Sequence, residues 1–196
     1  MSRPTTWIVL LVAAVLVVFF WPRREEEREP SPMPPIRPPM VEEPWGTSVV
    51  FDRFELSMPR SWFEKPELAM QHGMLFRGPS DDGHPPVVQL YWGPWSGEPQ
   101  GFFEHERARR VPGVQDILEE GEAVVAGLPA RYLVYEHASG GKGATREAEY
   151  LTIDWYFARD GRGGILRGLA PAQAFRFRYR PIFTEIARKL RYRPSR

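Results

Sequence analysis

From Trp45 onward the chain predicts an α+β fold, a twisted antiparallel sheet flanked by helices, and three observations lead to it. Short runs of alternating apolar residues recur between turn-forming clusters, one helical segment interrupts them, and a helical apolar stripe follows the last of them. With 42% apolar and 13% aromatic residues, the 196-residue chain can build one packed core with appendages, so global disorder and collagen-like repeats are excluded. Cysteine is absent, which removes disulfides, thiol catalysis, Fe–S clusters, cysteine-ligated zinc and a lipidated N-terminal cysteine. It leaves the redox compartment open.

The elements follow in order. Phe54, Leu56 and Met58 alternate with polar neighbours, and Pro59 ends that strand. Met74 to Arg77 is a second short run. Pro86 to Gly93 (PVVQLYWG) is a stronger strand, bounded by the turn cluster Ser80 to Gly83 and by Gly93 with Pro94. Phe102 to Arg110 lacks β-branched residues and reads as a helix ended by Pro112 and Gly113. Strands resume at Val114 to Ala126, Ala130 to His137, Glu147 to Arg159 and Gly164 to Leu169. The expected turns between them are Gly127 to Pro129, the loop Ser139 to Ala144, and Asp160 with Gly161, so these strands form a meander. Pro171 opens a final helical region, in which Ile182, Phe183, Ile186, Ala187 and Leu190 make the stripe.

Before this domain lie two segments of other composition. Trp7 to Trp21 is apolar throughout, and with Thr5 and Thr6 it reaches 17 residues, the short end of the roughly 17 to 25 that cross a bilayer. A helix apolar on every face, followed by prolines, has nothing to pack against as a core element. Pro22, Arg23 and Arg24 follow directly, without small residues of a signal-peptidase site, so residues 1–22 read as an uncleaved single-pass anchor. Basic flanking residues lean slightly towards a cytoplasmic domain. A short N-terminus before one long domain instead resembles a signal anchor, and an extracytoplasmic domain is the expectation. Residues 23–44 are a charged, proline-rich linker, with seven prolines between Pro30 and Pro44. That run reads as an extended spacer of about 45 Å at ~3.1 Å per residue. Residues 45–196 are the domain.

Three stretches carry a resemblance. FELSMPRSW (Phe54 to Trp62) supplies an opening strand, turn and P-x-x-W corner, and GLPARYLVYE (Gly127 to Glu136) a G-x-P-A strand. WYFARDGRGGILRGLAPAQAFRFRYRPIFTEIARKLR (Trp155 to Arg191) supplies a hairpin leading into the closing helix. Together, over Thr47 to Tyr192, they are similar to the Mog1/PsbP-like fold family, which includes DcrB-type bacterial proteins. The resemblance implies an accessory, assembly or binding role rather than an enzyme. It transfers no partner or site residue.

The search for chemistry yields little. His72, His84, His105 and His137 are scattered and form no metal-binding spacing, so no metal or cofactor is expected. Ser139 to Thr145 lacks the order of a phosphate-binding loop, and G-x-S-x-G is absent. Glu119 and Glu120, adjacent on a strand, point to opposite faces, and Glu147 with Glu149 read as neighbours on one solvated face, so neither makes an acid/base pair. Two candidate binding surfaces remain. One is the aromatic loop carrying Tyr91, Trp92 and Trp95, because such rings combine a large apolar area with polar tips; packing at a strand end is its plainer reading. The other is basic. The net charge of +1 is a sum of −1 over residues 1–44, −5 over 45–175 and +7 over 176–196, where Arg176, Arg178, Arg188, Lys189 and Arg191 are candidates. Part of that charge suits a helix C-terminus.

These readings converge on a membrane-anchored, noncatalytic interaction or assembly module. Its expected partners are the membrane through the N-terminal helix and a protein of unidentified kind, with anionic lipid as a further contact of the basic end. Nucleic acid is not expected, for no recognition motif accompanies the charge. A tethered small-ligand-binding domain at Trp92 and Trp95 is the alternative.

Overall fold

The chain runs β1 (Trp45–Phe51), β2 (Phe54–Pro59), β3 (Phe63–Glu64), β4 (Gly73–Arg77), β5 (Val87–Pro94), α1 (Pro99–Arg110), β6 (Val114–Val125), β7 (Leu128–His137), β8 (Tyr150–Arg159), β9 (Arg162–Pro171), α2 (Arg180–Lys189) and β10 (Arg191–Tyr192). A short helix, Ala172–Ala174, and a π-helical segment, Phe175–Tyr179, lead into α2. This computed structural model describes residues 44–69, 71–80, 83–110, 114–137 and 150–194. The expected anchor, nearly all of the proline linker, the Ser139 to Ala144 loop and the Glu147/Glu149 pair lie outside the described residues.

Two tight turns set the register of the meander. Ala126 and Gly127 have φ of 56° and 75°, and Asp160 and Gly161 have 52° and 72°. Two consecutive positive φ values make the two-residue hairpin whose twist matches its strands. The first turn therefore sits at Ala126 and Gly127, earlier than the expected Gly127 to Pro129, and Pro129 belongs to β7. Proline is tolerated there because pairing with β8 begins only at Ala130, opposite Phe157.

All pairings are antiparallel, as expected, but they build two sheets rather than one. The larger has the order β3-β4-β5-β9-β8-β7-β6, and the smaller β1-β2-β10. β10 is two residues long and pairs with β2 through Arg191 opposite Glu55 and Tyr192 opposite Phe54, too short to announce itself as an alternating run. Helix α1 also starts three residues before the expected Phe102, with Pro99 at a first position that needs no amide donor.

β8 is buried on both faces from Leu151 to Phe157. Its alternate residues divide between two cores. Leu151, Ile153, Trp155 and Phe157 join β2, Phe175, Tyr179 and the α2 residues Phe183 and Ile186 in the larger cluster. Tyr156 joins Leu133, Tyr135, Ile165 and the α1 residues Phe102 and Phe103 in the smaller. The domain is thus layered as α1, the seven-stranded sheet, then α2 with the small sheet.

β9 explains how both helices sit so close. A Cβ at Gly168 would meet the Phe183 ring at 2.5 Å, and one at Gly163 would collide with the Phe102 ring on the other face. Each glycine is a notch that receives one aromatic side chain from one helix. The sheets are tied by Arg162, which pairs with Asp52 at 2.7 Å and donates to the Trp92 carbonyl at 3.1 Å.

Gly168→Ala is expected to lower the unfolding free energy by about 1–3 kcal/mol through overpacking, read from a urea titration. Phe183→Leu in the same chain should return part of that loss. An unchanged midpoint in the single variant would show that the ring does not depend on the notch.

Candidate functional site

Where β6 meets the start of α2, the sequence alternation places Glu119 inward and leaves Leu118 outward. The Glu119 carboxylate accepts hydrogen bonds from Arg180 and from the Tyr132 hydroxyl, both at 2.7 Å. The Arg180 bond first, and the Tyr132 bond second, hold the Glu119 carboxyl below the usual carboxylate range. The same contact raises Tyr132 and Arg180. Beside this triad lies a groove of about 280 Å³, with Val134, Leu151 and Phe175 among its lining residues and Leu118 and Arg176 contributing to it.

The groove continues into the π-helical segment FRFRY. Phe175 and Tyr179 are buried, whereas Phe177 between them is 87% exposed. Arg176, exposed at the groove, acts on the Glu119 carboxylate through its charge, and the Arg178 guanidinium lies 5.2 Å from the Tyr179 ring centre. From the sequence Phe177 counts only as one of the apolar residues of the closing helical region, with Phe175 and Tyr179, and not as a binding candidate. Its signal was the alternation of arginine with three aromatic residues, of which only two can face the core.

The basic terminus is not one patch. Arg176 and Arg178 precede α2, while Arg188, Lys189 and Arg191 lie at or beyond its far end, a helix of 10 residues and so about 15 Å long. There Glu185 pairs with Arg188 at 2.6 Å and Lys189 at 3.7 Å. Its carboxyl is held low, chiefly by the Arg188 hydrogen bond. Lys189 also sits 4.3 Å from the Trp45 ring centre, and Arg191 stands in β10 opposite Glu55. Only the first pair flanks an exposed aromatic residue.

The aromatic loop divides as well. Trp92 is 1% exposed, its ring 5.0 Å from Phe54, 6.0 Å from Phe157 and 6.1 Å from Tyr192. It is packed in the larger core and offers no exposed ring for a surface contact. Tyr91 points to the opposite face, half-buried against the α1 cluster. Trp95 is half-buried against Phe102 and His105, and its indole N–H donates to the Glu98 carbonyl at 3.0 Å.

A polar cluster inside the sheet escaped the sequence reading. Asp154, fully buried on β8, accepts Arg167 Nε at 2.8 Å through Oδ1; Oδ2 accepts Arg167 at 2.8 Å and the hydroxyls of Tyr156 at 2.9 Å and Tyr135 at 3.0 Å. The signal was available: Asp154 lies six residues before Asp160 and Arg167 six after Gly161, so a two-residue turn there sets them opposite one another. Every oxygen of the carboxylate is used, which marks a structural network.

The described carboxylates proposed as acid/base candidates are also engaged. Glu119 faces Arg180 and Tyr132, and Glu120 contacts Arg107 at 3.3 Å and Arg131 at 3.9 Å. Among the described residues no cluster of three potential metal ligands occurs, and no helix is long and apolar enough to cross a membrane.

No protein-family model and no curated sequence matches the chain. Solved structures do. LpqN of Mycobacterium tuberculosis, a protein involved in cell envelope biogenesis, superimposes with a TM-score of 0.56 at 12% identity over 72% of this chain and 83% of its own. A Pseudomonas aeruginosa protein of unknown function, PA94, gives 0.52 at 12% identity over 76% and 100%. The cyanobacterial PsbP of Synechocystis sp. PCC 6803 gives 0.50 at 12% identity over 76% and 91%. The domain has the Mog1/PsbP-like fold that its sequence resembles, and likeness at this identity speaks for fold alone.

Asp154→Asn should cost about 3–5 kcal/mol of unfolding free energy, because it leaves the Arg167 guanidinium facing an uncharged group in the sheet. A loss below about 1 kcal/mol in denaturant would contradict that role. Glu119, its folded pKa depressed, contributes stability that is complete above the ordinary carboxylate value of about 4.3. That contribution disappears as pH falls through the lower folded value. At 38% exposure, screening limits it to about 1 kcal/mol. Glu119→Gln should flatten the acid side of the stability profile by that amount, and an identical slope in the two proteins would overturn the assignment.

Proposed function

We propose that this Mog1/PsbP-like domain is a membrane-anchored, noncatalytic interaction module. Residues 1–22 anchor it, residues 23–44 hold it off the bilayer, and residues 45–196 are displayed on the extracytoplasmic side. The observation that carries the reading is the contact face at the entry to α2. Phe177 stands 87% exposed between Arg176 and Arg178, beside a groove lined by both charged and apolar side chains. A large ring left in water on a rigid segment, flanked by cations, is what a binding face offers.

Two further points support it. Two carboxylates are held in fixed pairs, Asp154 with Arg167 in the sheet and Glu119 with Arg180 at the groove, rather than poised for acid/base work. The role of LpqN, a structure of the same fold, in cell envelope biogenesis agrees with display at a membrane.

A photoreactive amino acid placed at Phe177 in the full chain tests the reading in intact membranes, with Gln100 on α1 as the control position. Adducts should form from position 177 and be absent from position 100. Equal labelling of both, or none from 177, would remove this face as the contact. Protease added to intact cells should digest the domain, and cleavage only after lysis would reverse the assigned side.

A further inference from the structure

We propose that β1 is a docking edge for the β1 of a second copy, so that two anchored chains join their small sheets across a twofold axis at Val49. The inference goes beyond the contact face at α2, and it rests on the anchor reading for the concentration at which the copies meet.

Among the described residues the two sheets end in four edge strands, and three of these are protected. β3 and β10 are two residues long. β6 is interrupted by two register shifts and carries Asp116, Glu119, Glu120 and Glu122, so a second copy laid along it would bring carboxylates together. Short strands, bulges and charges are the devices that keep sheet edges from pairing. β1 has a register shift only near its start, between Trp45 and Ser48. Its sequence, WGTSVVF, contains no charged residue, and it ends in the β-branched and aromatic run that strand pairing favours.

The register identifies the backbone groups on offer. Asp52 and Arg53 make a two-residue turn, so Phe51 and Phe54 close the hairpin as a hydrogen-bonded pair, and the two kinds of pair alternate from there. Phe51 and Val49 therefore bond to β2, whereas Val50 and Ser48 turn their amides and carbonyls away from it. The Ser48 and Ser57 hydroxyls lie 3.1 Å apart, as the close approach of a non-hydrogen-bonded pair allows. No backbone group among the described residues meets this outer edge. An antiparallel copy with Val49 opposite Val49 sets Ser48 opposite Val50 on both sides of the axis, and every outward N–H and C=O of these two residues is then bonded.

The side chains suit the same pairing. Val50 is 57% exposed, and Val49 is only partly buried against the larger core, as are Trp45 and Phe51. A second β1 would cover the open rim of that core while it completes the ladder. Glu55, opposite Val50 on β2, is already paired with Arg193. So short a seam falls below the roughly 1,000 Å² of a stable free complex, and tethering makes up the difference. The linker ends directly before Trp45, the first residue of β1, and its proline spacer reaches about 45 Å. About the axis the two Trp45 ends stand about 27 Å apart, at ~3.4 Å per residue. Two chains in one bilayer therefore reach this arrangement and meet at a raised local concentration.

The chain has no cysteine, so single introduced thiols report this seam alone. Facing residues of a non-hydrogen-bonded pair have Cα atoms about 4.5 Å apart, within disulfide range, and residues two places out of register lie beyond it. Full-length Val49→Cys in phospholipid vesicles, treated with a mild oxidant, should give a reducible dimer at about tenfold the yield of Val50→Cys or of Glu122→Cys on β6. The yield should fall about tenfold when the same protein is dispersed in detergent. Adding Val50→Pro removes an outward N–H that β2 does not use, so it should abolish the dimer and leave the urea midpoint unchanged. If the midpoint falls, Val50→Lys, a charge on the edge, takes its place with the same expected loss. Comparable yields at all three positions, no dimer from Val49→Cys, or indifference to both Val50 variants overturns the pairing. A Val49→Cys crosslink to another protein in place of the dimer overturns the second copy as occupant. Vesicle flotation reads the anchor separately. Protein that floats without the Val49→Cys dimer keeps the anchor and loses the pairing; protein that does not float loses the anchor, and the Val49→Cys to Val50→Cys ratio in concentrated solution then decides the pairing.

Discussion

β8 is buried on both faces, and at its centre it carries a carboxylate that must be neutralised where it stands. Asp154 meets that demand with Arg167 directly across the hairpin and with two tyrosine hydroxyls from its own face. The alternative, an unpaired charge between two cores, costs several kcal/mol. Because the ion pair forms only when β8 and β9 are in one register, it selects that register against a one-residue slip, which would also turn every buried side chain of β8 to the wrong core. The packing of α1 on one side and of α2 on the other presupposes this alignment.

Several ion pairs hold the fold together across its elements. Asp154 with Arg167, Asp52 with Arg162 and Glu55 with Arg193 join strand to strand or sheet to sheet. Glu119, on the edge strand β6, pairs with Arg180 at the start of the closing helix.

Much of this was legible before any coordinates. The Asp160–Gly161 turn, the period of the strands and the stripe from Ile182 onward fixed the meander and the closing helix, because those signals are local. The second sheet was not legible, since β10 is two residues long and its partner β2 lies at the other end of the domain. Trp92 and Trp95 looked alike in sequence, yet strand parity sends Trp92 into the larger core and leaves Trp95 at the edge of the smaller one. The basic terminus read as a single patch because sequence shows the cations but not Glu119 and Glu55, which reach them from distant strands. Phe177 stands out only once Phe175 and Tyr179 are seen to be buried on either side of it.

The two glycine notches bear on the order in which the domain can assemble. β5 and α1 are made early, but β5 lacks one of its two neighbours, and α1 lacks the recess for Phe102, until synthesis has passed Gly163. Phe183 must then be laid into Gly168 from beyond that strand. A nascent or translocating chain therefore exposes an unpaired strand edge and an unseated amphipathic helix through most of its emergence, and closes both in one late, cooperative step. β9 is the strand whose delay the rest of the chain has to survive.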